Sequence, residues 1–101
     1  MYRYKIHNLM IKSFKYKGLE LFFETGSKSG IRSLHAAKLS RQLHKLNMSK
    51  SPEDMNIPGW KLHSLKGKYN NYYSIKVDGN WRLTFKYDGQ DVILLNYHDY
   101  H

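Results

Sequence analysis

The sequence predicts an α+β domain, with an N-terminal strand and two helices packed on one face of a mainly antiparallel sheet. Three observations predict it. Apolar residues recur three and four apart in the first half of the chain, at Ala36, Leu39, Leu43 and Leu46. In the second half they alternate with period two, at Trp81, Leu83, Phe85 and Tyr87. Asp78-Gly79 and Asp88-Gly89 punctuate that second half as tight turns between strands.

Taken in order, residues 11–15 alternate apolar and polar and predict a short strand. Residues 18–25 hold Leu19, Leu21, Phe22 and Phe23 on helix-compatible spacing, and Gly26 is a natural stop. A loop follows at residues 26–30. Ser33 is placed to cap a second helix running to about Met48, with Lys38, Arg41 and Lys45 opposite its apolar stripe. Ser51-Pro52 opens a break that Ile57-Pro58-Gly59 closes. Residues 60–65 predict a strand, with Lys61 and His63 on one face and Leu62 on the other. Residues 72–77 alternate, then Arg82, Thr84 and Lys86 take the face opposite Trp81 and its row. Residues 92–97 are apolar enough for a central strand.

The 101 residues fit one domain, and 41% hydrophobic residues suffice for a core. The net charge is +9, which favours polyanionic partners, although acidic proteins and anionic membranes share that preference. Cysteine is absent, which excludes disulfides and cysteine-based zinc sites. The longest wholly apolar run is Val92-Ile93-Leu94-Leu95, far short of a membrane span, and the first residues lack an export core. The expected address is the cytoplasm, with no membrane partner. Met10-Ile11-Lys12-Ser13-Phe14 reads as a second translation start. On that reading residues 1–9 are an N-terminal extension and residues 10–101 form the single domain. The extension holds Arg3 and Lys5 and no acid, and the chain stays strongly basic without it.

Metal-free RNA cleavage needs a base for the ribose 2′-OH, cations on the phosphate, an acid for the leaving 5′-oxygen, and a group that holds the nucleotide in line. Three clusters supply such groups. The first is Lys61-Leu62-His63-Ser64-Leu65-Lys66-Gly67, the second is Arg82 between Trp81 and Leu83, and the third is Asp99-Tyr100-His101. The open sheet face then gathers imidazoles, a guanidinium, an ammonium and a carboxylate. Blander roles compete. A strand histidine is often a surface group, a terminus often frays, and tyrosines often pack sheets. His35 and His44 are expected to be surface groups on the helix. A chelate of His98, Asp99 and His101 has the spacing of no established site, so no metal and no cofactor are expected. No P-loop, HExxH or G-x-S-x-G motif occurs.

Four of these segments together resemble the HigB branch of the RelE-like toxins. They are Lys61-Leu62-His63-x-Leu65-Lys66-Gly67, Tyr73-Ser74-Ile75-x-Val77, Asn80-Trp81-Arg82-Leu83-Thr84-Phe85 and the closing Asn96-Tyr97-x-Asp99-Tyr100-His101. The opening Met10-Ile11-Lys12-Ser13-Phe14 fits the same branch, so the resemblance runs from Met10 to the end.

The resemblance implies a RelE-like microbial RNase fold and a ribosome-dependent endoribonuclease that cuts mRNA in the decoding site. It also implies neutralisation by a helix-turn-helix antitoxin of the HigA type. The matching site residues are His63, Lys66, Arg82, Asp99, Tyr100 and His101. In the expected reaction the 2′-OH attacks the adjacent phosphate, leaving a 2′,3′-cyclic phosphate and a 5′-OH. His63 and His101 form the acid/base pair in either order, and Lys66 and Arg82 meet the phosphate. Asp99 orients a histidine, and Tyr100 stacks on or positions the nucleotide. Lys61, Lys68 and Lys86 are expected RNA contacts. A non-catalytic RNA- or ribosome-binding module is the alternative, since stacking and phosphate contact need the same residue types. Direct DNA binding is disfavoured because neither helix resembles a recognition helix.

Overall fold

The computed structural model describes residues 10–99. The expected extension at residues 1–9 and the expected site residues Tyr100 and His101 lie outside the described residues.

Two helices pack on one face of a four-stranded antiparallel sheet. The first helix, α1, spans Lys17–Thr25 and buries Leu19 and Phe22. Gly26 ends it in the left-handed region at φ 82°, donating its N–H to the Phe22 carbonyl at 2.8 Å. The second helix, α2, spans Ala36–Met48 and follows a 3₁₀ turn at Ser33–His35. Its stripe of Ala36, Leu39, Leu43 and Leu46 is buried, as the spacing requires, and Gln42 is buried with it. Ser33 does not cap α2. It lies inside the 3₁₀ turn, and neither helix start has a side-chain cap.

The strands are β1 (His63–Ser64), β2 (Tyr72–Asp78), β3 (Trp81–Asp88) and β4 (Asp91–Asp99), in the order β1-β2-β3-β4. The two expected turns hold, with Gly79 at φ 55° between β2 and β3. On the helix side Ile75, Val77, Leu83, Phe85, Val92 and Leu95 pack against Leu19, Leu39, Leu43, Leu46 and Met55. Two bulges break the ladder, one between Lys76 and Asp78 and one opposite Thr84 and Lys86. Buried Gln42 donates from Nε2 to the Lys76 carbonyl at 2.8 Å, fixing the first bulge to α2.

Three expectations need correction. The strand expected over residues 60–65 shrinks to two residues, because Lys61 adopts φ 53° and breaks the alternation. Residues 92–97 lie in the last strand of the ladder rather than a central one. Their apolar character has another cause. The segment after Met10 runs parallel to β4 and covers its outer edge, with bridges at Ile11–Val92 and Phe14–Leu95. That segment is extended as expected but pairs only at these two points, because Leu94 turns to φ 56° and directs its N–H to Ser13 Oγ at 2.8 Å. Asn47 of α2 anchors the same segment by accepting from the N–H groups of Met10 and Ile11 at 3.0 and 3.2 Å. Finally, His35 is not a surface group: it is 3% exposed, whereas His44 is exposed as expected.

Candidate active site

The sheet face turned away from the helices is built by register. Residues directly opposite on antiparallel strands point the same way and sit close together. One row across the sheet is His63, Ser74, Thr84 and Asn96. The next is Lys76, Arg82 and His98. Tyr72 and Lys86 form a third. Lys76 and Arg82 are like charges directly opposite, an arrangement that costs stability by itself. An anion held across the row would offset that cost.

Arg82 is pre-set by its own hairpin. Its Nη1 donates to the Gly79 carbonyl at 2.8 Å and to the Trp81 carbonyl at 3.1 Å. Its neighbour His98 is half-buried, with Nε2 3.2 Å from Thr84 Oγ1. Burial pushes the His98 pKa below that of a free imidazole, and the Lys15 ammonium pushes it further the same way. A neutral imidazole at physiological pH results, able to accept a proton or a hydrogen bond.

Aromatic rings flank these groups. Tyr69 and Tyr72 meet edge to face at 5.7 Å. Lys68 stands 5.4 Å from the Tyr69 ring, while Lys86 and Lys15 stand 5.4 and 5.9 Å from the Tyr72 ring. Lys15, Leu65, Tyr69, Tyr72, Asn96 and His98 line a cavity of about 200 Å³ here. Rings beside cations and a polar floor suit a stacked base and its phosphate.

The expected site residues fall into place unequally. His63 is exposed on β1, opposite Ser74 and one row from Arg82, with Nδ1 3.0 Å from the Lys61 carbonyl. Lys66 is exposed immediately before the 3₁₀ turn Gly67–Tyr69, which carries Lys68. Lys61 is exposed, but its backbone turn removes it from a shared strand face with His63. Asp99 ends β4 opposite Trp81 rather than Arg82, and lines a cleft with Arg32, Trp81 and Tyr97 on the helix side. Among the described residues, no three His, Asp or Glu side chains gather to hold a metal, and none of the helices is long and apolar enough to cross a membrane.

Sequence reasoning missed His98, Lys15, Tyr69 and Tyr72 as parts of this face. For His98 the signal was present: Tyr97 belongs with the apolar row, so the next residue must face the other way. Lys15 carried no signal, since its place depends on a parallel pairing with β4 that is 80 residues away in the chain.

Comparison with known proteins agrees with these features. Residues 12–101 match the family described as the RelE-like toxin of the type II toxin–antitoxin system HigB. The chain is also 42% identical over 92 residues to a Proteus vulgaris protein named Endoribonuclease HigB, covering 91% of this chain and all of that one. The chain therefore belongs to the HigB-like family of RelE-like toxins, the toxin halves of type II toxin–antitoxin pairs.

Proposed function

We propose that this toxin is a metal-independent endoribonuclease that cuts mRNA in the ribosomal decoding site, in the cytoplasm. The observation that carries the reading is the Lys76–Arg82–His98 row beside the tyrosine platform. It combines phosphate-neutralising cations, a half-buried imidazole and stacking surfaces on one face. The Proteus vulgaris relative is named an endoribonuclease, which supports RNA cleavage as the activity.

In this mechanism a base removes the ribose 2′-OH proton and the 2′-oxygen attacks the adjacent phosphorus. The bond to the 5′-oxygen breaks, and an acid protonates that leaving group. His63 and His101 form the acid/base pair, Arg82 and Lys66 hold the phosphate, and Asp99 orients a histidine. Tyr100 positions the nucleotide, and Lys61, Lys68 and Lys86 contact the RNA backbone. The face is open and the protein is strongly basic, so affinity for RNA is broad and the ribosome supplies the missing alignment of substrate. The neutralising partner is a helix-turn-helix antitoxin of the HigA type.

Induction in bacteria tests the physiological part. Growth and protein synthesis should stop soon after expression, resume when a cognate HigA-type antitoxin is co-expressed, and continue undisturbed with Arg82→Ala. Undiminished growth with abundant wild-type protein contradicts the toxin assignment.

A further inference from the structure

We propose that His35 is a positioning residue for the cleavage reaction, a buried clamp that holds both strands carrying the open-face groups. The proposal rests on the reading of that face given above. His35 is 3% exposed, and a buried imidazole is costly unless its nitrogens are partnered. Nδ1 has a hydrogen-bond partner and Nε2 has a carboxylate within ion-pair distance, on two different strands. Nδ1 lies 2.8 Å from the Tyr97 hydroxyl on β4. Nε2 lies 3.4 Å from Asp78 Oδ2, at the end of β2.

Tyr97 Oη accepts the Arg32 backbone N–H at 3.2 Å and can donate its own hydrogen to Nδ1 of His35. In that arrangement the ring hydrogen sits on Nε2, on the side of the Asp78 carboxylate. Burial pushes the Tyr97 pKa up, so the phenol keeps the proton this bond needs. Ring contacts complete the clamp. His35 meets Trp81 at 5.6 Å and Tyr97 at 6.0 Å, both edge-on, and Trp81 stacks on Tyr97 at 4.6 Å.

Each contact leads to the open face within a residue or two. Asp78 precedes Gly79, whose carbonyl holds the Arg82 guanidinium at 2.8 Å. Trp81 precedes Arg82 directly. Tyr97 precedes His98 and Asp99, so its position sets theirs. His35 touches no group of the open row itself. It acts through the hairpin and β4.

The test measures cleavage by purified toxin on mRNA-programmed ribosomes, comparing wild type, His35→Leu, His35→Asn, Arg82→Ala and the double variant His35→Leu/Arg82→Ala. His35→Leu should keep its fold and antitoxin binding, hold KM within roughly twofold, and lose about tenfold or more in kcat. Asparagine can still accept from the Tyr97 hydroxyl, so His35→Asn should recover most of the loss. The double variant should lose less than the product of the two single losses, because part of the His35 effect runs through Arg82. A lower melting temperature for His35→Leu with unchanged kcat overturns the proposal, while loss of cleavage in Arg82→Ala keeps the open-face reading intact. If Arg82→Ala cleaves like wild type, the open-face reading and the clamp both fall. Should His35→Leu fail to fold, Tyr97→Phe removes only the hydroxyl, and an unchanged kcat in that variant overturns the proposal equally.

Discussion

At His98, burial and the neighbouring Lys15 both disfavour the imidazolium, and together they tie stability to pH. The folded state binds a proton at this site less readily than the unfolded chain does. Between the folded pKa and the unfolded value of about 6.5 the unfolded state therefore binds more protons. The contribution of this site to stability is full above the unfolded value and is lost as pH falls through the folded one. Urea unfolding at pH 7 and pH 5 should show a fall in stability that is smaller in His98→Gln. An equal fall in both proteins contradicts this role. The same residue marks a limit of sequence reading. Its face follows from Tyr97, but its neighbour Lys15 depends on a distant pairing that no local pattern announces. His35 was misjudged for a related reason: it precedes Ala36 on the buried stripe, yet only the arrival of Tyr97 and Asp78 makes its burial affordable.

Among the elements, α2 carries the most of the fold. Leu39, Leu43 and Leu46 are essentially inaccessible and meet the sheet's apolar row, while Gln42 and Asn47 tie the helix to a bulge and to the N-terminal segment. Replacing Leu43 by Ala removes methyl groups from a packed site and should cost about 2–5 kcal/mol. For a domain of this size each kcal/mol lowers the melting point by about 4–8 °C, so calorimetry should find a loss near 10 °C or more. A shift of only a degree or two contradicts the packing described for α2. This element was legible in the sequence because its spacing is regular and its burial one-sided. So were β2, β3 and both hairpin turns, where period two and Asp-Gly steps agree. Residues 60–65 were not. Their alternation looks like a strand, but Lys61 at φ 53° turns the chain, and pairing with β2 survives only at His63 and Ser64.

At the scale of the molecule, helices close one side of the sheet and leave the other as a polar, cationic surface with tyrosines at its edge. Net charge of +9 supplies attraction to RNA of any sequence, weakening with salt, and so sets affinity rather than the position of the cut. In the mechanism we propose, position comes from alignment of the 2′-OH, phosphorus and leaving oxygen over the Arg82 row. Of that row only Arg82 was read from the sequence, because β3 alternates cleanly. The share contributed by β4 was obscured by the bulge at Leu94, which shifts parity between Val92 and Leu95. The most direct measurement adds purified toxin to mRNA with and without assembled ribosomes, in the presence of a chelator that strips transition metals but spares ribosomal magnesium, and determines the chemistry of the new ends. The expected result is efficient cutting of ribosome-bound mRNA alone, leaving a 2′,3′-cyclic phosphate and a 5′-OH. Equal cutting of naked mRNA, activity restored only by added zinc or manganese, or no cutting by folded protein would contradict a metal-independent nuclease that works on the ribosome.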